Sequence, residues 1–404
     1  MTLPFGTIVR LLEKHDDKKF EGLGSLKNLY ESLENFPECY LPTEECKYML
    51  LNPRTLAYDH CRNLKLQIDN TEPLKYFQCD VCRKGYPIKS VFGTCTTTKC
   101  ITYGKLVDKD VGFKKTDVCV SGGGVFVSDI GAFIVTDDLC VMPYTSANSI
   151  RLLTDHGITD QSCLEDLKLD MGREEILHLL KMALSLDSVF TYLVFNRISS
   201  IRDLVVPSQR SDIDQTVLMK KDVSLQKSTG KLLFAEARGD FILLLFDILS
   251  FPLGTVVGEL MKVGVSSLTC INNIFKSISD MSVRRYLKSQ DIKDILLKPQ
   301  FPPIHHLFQL KGTPLHYGDL SCKDLKIDKG LLKQSGMFIV TDDLIITPSS
   351  SYSTLCTLNN KKVSFDDIET YEISIGSTEG LKILNASLRS CSTLTDSLEH
   401  LLKK

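Results

Sequence analysis

The heptapeptide Phe133-Ile134-Val135-Thr136-Asp137-Asp138-Leu139 recurs letter for letter as Phe338-Ile339-Val340-Thr341-Asp342-Asp343-Leu344. No other feature constrains the fold of this chain as tightly. Other echoes keep their order around it. Leu3-Pro4-Phe5-Gly6-Thr7-Ile8-Val9 returns as Phe251-Pro252-Leu253-Gly254-Thr255-Val256-Val257. Leu26-Lys27-Asn28-Leu29-Tyr30-Glu31-Ser32-Leu33 returns as Ile271-Asn272-Asn273-Ile274-Phe275-Lys276-Ser277-Ile278. A repeat this long is a whole domain rather than a solenoid unit, so the pattern implies a tandem pair. The expected boundaries are a first repeat over 1–197, a polar linker over 198–215 and a second repeat over 216–404.

The echoes are unevenly spaced. The Pro-Gly-Thr block repeats at an offset of 248 residues, the next helix at 245 and the Phe-Ile-Val-Thr-Asp-Asp block at 205. About 40 residues of the first repeat therefore have no place in the second, and this surplus holds the densest cysteine cluster. The second repeat has its own surplus at the front. Val223–Gln226, the turn Lys227–Gly230 and Lys231–Ala235 read as a strand pair, followed by an apolar helix from Asp240. The first repeat is N-terminally truncated relative to this, so its sheet is expected to end in an open edge or to borrow cover.

Local patterns agree between the repeats. Ile8, Val9, Leu11 and Leu12 mark one helical face, and Leu26, Leu29, Tyr30 and Leu33 mark another. Both Phe-Ile-Val-Thr-Asp-Asp blocks read as tight hairpins whose aspartates sit in the turn. Tyr371–Ile375 alternates like a strand, and Gly376 opens a helix carrying Leu381, Leu384 and Leu388. Gly172 does the same before Ile176, Leu177, Leu180 and Leu184. Helices and short strands mix without a regular βαβ order, so the expected class is α+β, with short-strand hairpins and packed helices.

The cluster Cys79-Asp80-Val81-Cys82 with Cys95 and Cys100 has the chemistry of a structural zinc site. Two thiolates two residues apart can converge on one ion, and a hairpin-length spacer can bring a second pair opposite them. The four-residue gap before Cys100 departs from the usual zinc ribbon, and four free cysteines in a core is the competing reading. His60, Cys61 and Cys119 are substitute ligands. The surrounding stretch is basic, with nine Lys or Arg against four Asp between Lys75 and Asp117, and aromatic residues are interspersed. Such a stretch suits single-stranded nucleic acid, although a small module with solvated lysines explains it as well.

Other motifs point nowhere. Gly122-Gly123-Gly124 lacks the lysine of a phosphate loop, there is no Gly-x-Ser-x-Gly elbow, and His305, His306 and His316 match no ligand spacing. With 48 basic and 50 acidic residues the chain is no polyanion binder by bulk charge. Fourteen cysteines without a secretory signal imply reduced thiols in an intracellular compartment. The stretch Phe241–Leu249 is too short to span a bilayer, so no membrane partner is expected.

Taken together these residues resemble a plant-restricted family known as domain of unknown function 674. The resemblance is carried by Lys231–Ala237 with Asp240-Phe241, the Pro-Leu-Gly-Thr block, Phe133–Leu139, Cys46–Pro53 and Cys61–Leu64. It implies no established activity and transfers no catalytic residue. The sequence therefore supports a non-enzymatic intracellular interaction or regulatory protein with a protein partner and a structural zinc at Cys79, Cys82, Cys95 and Cys100. The alternatives are an enzyme of unrecognised type with its site between the repeats, and nucleic-acid binding through residues 75–117.

Overall fold

The computed structural model describes residues 1–15, 23–41, 44–53, 77–84, 103–111, 132–195, 219–262, 268–299 and 336–402, with single positions at 68, 75, 96, 126, 127 and 264. The expected linker at 198–215 lies outside them, as do His60, Cys61, Cys95, Cys100, Cys119, Gly122–Gly124, His305, His306 and His316.

In chain order the first half forms α1 (Phe5–His15), α2 (Leu26–Glu34), α3 (Glu44–Leu51), β1 (Phe77–Gln78), α4 (Asp80–Lys84), β2 (Lys109–Asp110), β3 (Phe133–Val135), β4 (Val141–Pro143), α5 (Ser146–Asp155), α6 (Arg173–Ala183) and α7 (Val189–Phe195). The second half forms β5 (Met219–Gln226), β6 (Leu232–Arg238), α8 (Gly239–Ile248), α9 (Leu253–Lys262), α10 (Thr269–Asp280) and α11 (Gln290–Leu297). It continues through β7 (Met337–Thr341), β8 (Ile346–Pro348), α12 (Ser351–Lys361), β9 (Ile368–Ile375), α13 (Ser377–Ser387) and α14 (Thr393–Leu402). The class is α+β. No helix among the described residues is long and apolar enough to cross a membrane.

One antiparallel sheet of five strands, in the order β8-β7-β6-β5-β9, dominates the second half. Strand β5 begins four residues before the expected run, with a polar start, and β6 runs three residues past its expected end to Arg238. Lys221, inside β5, is nearly buried, and its Nζ lies 3.0 and 3.2 Å from the Asp240 carboxylate oxygens at the start of α8. That pairing neutralises the lysine where a lone buried charge would be costly. Helix α8 is buried from Phe241 to Ile248, apart from a partly exposed Leu243, and apolar on nearly every side, with Asp247 the charged residue in the buried stretch.

Among the described residues the first half has two separate two-stranded ladders, β1-β2 and β3-β4. Strand β3 pairs among the described residues with β4 alone.

The halves are tied together at their Pro-Gly-Thr blocks. Pro4 and Pro252 form an antiparallel bridge. Phe5 N donates to Phe251 O (3.1 Å) and Leu253 N to Leu3 O (2.9 Å); Gly6 N donates to Leu249 O (2.6 Å) and Gly254 N to Met1 O (2.7 Å). Each bond has its mate with the halves exchanged. The first-turn N–H groups of α1 and α9, which no helix can satisfy internally, thus find carbonyls in the opposite half. A Cβ on Gly254 would stand 2.8 Å from Leu296 O and 3.0 Å from Met1 O, which explains the glycine at this crossing.

Around the crossing lies one continuous core. Phe5, Ile8, Leu12, Leu26, Leu29 and Leu33 from the first half join Phe241, Phe246, Phe338 and Leu384 from the second. Phe36 stacks on Phe338 with centroids 5.2 Å apart and meets Phe246 edge-on at 5.3 Å.

Candidate functional site

The duplicated heptapeptide builds the same turn twice. Thr136 Oγ1 accepts from Cys140 N and Thr341 Oγ1 from Ile345 N, each at 3.0 Å. Each threonine hydroxyl also donates to the second aspartate, Asp138 or Asp343. The leucine that follows is left-handed in both turns, φ 60° at Leu139 and 62° at Leu344, and both are buried. A left-handed leucine costs free energy, which its burial offsets.

The two aspartates do different work. The first caps a helix: Asp137 Oδ1 accepts from Thr191 N (2.8 Å) in α7, and Asp342 Oδ1 from Thr395 N (2.7 Å) in α14. A carboxylate on the free N–H groups of a first helical turn is favourable. At Asp342 burial nevertheless raises the pKa, while the bonds from Thr395 oppose the rise.

The second aspartate is held by a helix from the other half. Asn273 Nδ2, on α10, donates to both Asp138 O and Asp138 Oδ2 at 2.9 Å. Asn28 Nδ2, on α2, donates to Asp343 O (2.9 Å) and Asp343 Oδ2 (3.4 Å). One turn further on, Ser277 Oγ accepts from Val141 N (2.8 Å) and Ser32 Oγ from Ile346 N (3.0 Å). Both serines give their protons to the asparagine carbonyl four residues back, at 2.7 Å. Helix α2 therefore clasps the β7-β8 hairpin, and α10 clasps β3-β4.

These four polar residues escape a reading based on helical periodicity. A signal was nevertheless present, because the asparagine and the serine are the only identical letters in the two aligned octapeptides. Every apolar position around them differs.

At the helix starts the exchange continues. Ser25 Oγ donates to Ser390 O (2.7 Å), and Cys270 Sγ donates to Leu186 O (3.1 Å). Gly24, at φ +50°, closes this junction, where a Cβ would lie 2.7–2.8 Å from backbone atoms of Ser387, Arg389 and Ser390. Beside Cys270 lie Asp187 and Arg389. Burial and the negative charges of Asp187, Asp138 and Asp137 push the Cys270 thiol up to about 12. Burial also lowers the Arg389 pKa, against the pull of Asp187.

The cysteine cluster is described at its first pair. β1 pairs with β2, Phe77 opposite Asp110 and Gln78 opposite Lys109, and delivers Cys79 at its end. Cys79 is buried against Val107 with Phe77, Val81 and Cys82 packed around it. Cys82 N donates to Cys79 Sγ at 3.3 Å, and Arg83 N to Cys79 O at 3.1 Å. The chain thus wraps a tight knuckle around one sulfur and aims a backbone dipole at it.

Two comparisons found nothing: no curated protein and no solved structure matches the chain. The profile of one family, described as protein of unknown function (DUF674), matches residues 1–322 and again 319–379. With most of its length covered, the chain belongs to the DUF674 family.

Proposed function

We propose that this is an intracellular interaction or regulatory protein built from two related α+β domains, 1–197 and 216–404, joined by 198–215. The observation that carries the reading is the unequal cover of two turns built alike. Val135 in β3 is 43% exposed, whereas Val340, its counterpart in β7, is fully buried. An apolar side chain left in water on a strand edge that no described residue pairs marks a binding surface. A photo-crosslinking residue placed at Val135 in the expressing cell is expected to trap a discrete protein partner, and one placed at the exposed Asp155 is not. Equal labelling from both positions would overturn the reading.

The first domain carries a zinc-ribbon-like insertion in this proposal, with zinc held by Cys79, Cys82, Cys95 and Cys100. The knuckle at Cys79 supports it, and four thiolates supply the closed shell of a structural site. Purified, reduced protein is expected to contain about one zinc per chain, which Cys79→Ser removes while destabilising the insertion. Metal-free protein with an unchanged melting curve would sink the site.

A second reading, an enzyme with its site between the halves, draws on the junction of Asp187, Cys270 and Arg389. Cys270 is fully buried and its thiol is held protonated, which suits a structural joint better than a nucleophile.

A further inference from the structure

We propose that the surface at Val135 continues onto a basic corner at Arg284-Arg285, and that the two together take an acidic peptide segment with apolar anchors. This names the partner chemistry of the interaction reading above and rests on that reading.

The surface is continuous. Phe133 and Val135, two residues apart in β3, share one face of the strand. Phe126 packs on Phe133 with ring centroids 4.9 Å apart and is itself 43% exposed. The backbone at Phe126 forms an antiparallel bridge with Leu287, and Val127 N donates to Tyr286 O at 2.9 Å. Tyr286 carries the Arg285 guanidinium over its ring, 5.3 Å from the centroid. Contacts therefore run from Val135 through Phe133 and Phe126 to Tyr286 and Arg285. Helix α10 makes a second tie. Its Ser277 holds Val141, the ladder partner of Val135, and the corner follows directly from its last turn.

The corner is tightly bonded and displays its cations. Arg284 N donates to Leu287 O (2.6 Å) and Tyr286 N to Ser282 O (3.0 Å), while Leu287 is fully buried. Lys293 is committed to closing the end of α10, donating to Ser279 O (2.5 Å) and Met281 O (3.0 Å). Within this turn Arg284 is left-handed, φ 67°, a region that glycine enters at no steric cost. The chain sets an exposed cation there instead. Arg285 beside it is exposed too, and among the described residues neither has a carboxylate partner. A planar guanidinium held by a bonded turn is pre-organised for a carboxylate.

Charge selects the occupant. Residues 276–298 carry six Lys or Arg against three Asp. The stretch 276–285 has Lys276, Arg284 and Arg285, whereas its aligned stretch in the first half, 31–40, has Glu31, Glu34 and Glu38 and no base. The basic character thus belongs to this corner and not to the repeated pattern. A single nucleic-acid strand fits it less well. Asp280, Asp291 and Asp294, all exposed, interrupt the basic track such a strand follows, and a phosphodiester chain has no use for Val135. A peptide that alternates acidic and apolar residues meets both the arginines and the Val135–Phe126 face. Arg, Tyr and Phe are also the residues that anchor protein interfaces.

The test uses the full-length protein and a labelled peptide of alternating glutamate and valine. Fluorescence anisotropy is expected to show saturable binding that weakens as salt rises, and a lysine-valine peptide should not bind. Arg284→Gly should lower the affinity about threefold while raising the melting temperature, since glycine relieves the left-handed backbone. Adding Arg285→Gln should bring the loss to about tenfold, and Val135→Ser alone should weaken binding about threefold. No saturable binding overturns the proposal, as does binding that Arg284→Gly with Arg285→Gln leaves unchanged. Tighter binding of oligodeoxythymidylate, lost in the same variant, overturns it in favour of nucleic acid. The interaction reading fails separately, if a crosslinker at Val135 traps no discrete partner. A partner trapped equally well by the arginine variant overturns only the acidic chemistry.

Discussion

Asn273 holds Asp138 by two hydrogen bonds of 2.9 Å from a single amide nitrogen, one to the backbone carbonyl and one to the carboxylate. The two residues belong to opposite halves of the chain, and Asn28 repeats the arrangement on Asp343 with the halves exchanged. The polar contacts at the centre of this protein are thus reciprocal. Each half lends a helix to the other's hairpin.

The clasp should be measurable. Asn273→Ala or Asn28→Ala removes a donor from a part-buried carbonyl and carboxylate, and each is expected to cost about 1–2 kcal/mol in urea unfolding. Replacement by aspartate should cost more near neutral pH, because it sets two carboxylates against each other, and should recover part of the loss in acid as one becomes protonated. A loss equal to that of alanine at every pH would show that the asparagine amide does not face the carboxylate.

Much of this architecture was legible in the sequence. The Thr-Asp-Asp-Leu turns, the buried faces of α1 and α2, the β5-β6 hairpin and the enclosed helix after it follow from periodicity and turn chemistry. What could not be read is which half each helix serves. The spacing of Leu26, Leu29 and Leu33 says that α2 has an apolar face, but Phe338 and Phe36 meet only through the fold, 302 positions apart in the chain. The pattern does not mark Met219–Asp222 as strand, because the burial of Lys221 depends on Asp240, a partner that alternation cannot reveal. Spacing alone marks the cysteine cluster, and the fold adds the N–H···S contact at Cys79, which no spacing encodes.

The thiols should react in a definite order. Cys39, Cys163 and Cys391 are exposed, whereas Cys79 and Cys270 are buried. Cys270 is further protected because burial pushes its thiol up to about 12 and the thiol donates to Leu186 O. At pH 8 iodoacetamide is expected to modify the three exposed cysteines within minutes and to leave Cys270 untouched until denaturant is added. Mass spectrometry of the peptides reads the order directly. Early modification of Cys270 in native protein would mean that the joint between α10 and the α6–α7 turn opens readily.

The last expectation concerns the halves themselves. The sequence pattern suggests that 216–404 folds alone and that 1–197 is poorly soluble. The clasps argue for a different outcome. Without the first half, Phe338 and Phe246 lose Phe36, the β7-β8 hairpin loses Asn28 and Ser32, and α9 loses the carbonyls that satisfy its first turn. Burying a Leu or Phe is worth about 1.5–3 kcal/mol, and Leu26, Leu29, Leu33 and Phe36 are all fully or almost fully buried. Their summed loss is comparable with the whole stability of a typical domain, about 5–15 kcal/mol. Residues 216–404 expressed alone are therefore expected to unfold at much lower denaturant than the intact chain. Co-expression with 1–197 should yield a one-to-one complex that survives size exclusion and regains most of the lost stability. A monomeric 216–404 fragment with the unfolding midpoint of the whole protein would show that the exchanged helices contribute nothing to holding the second sheet together.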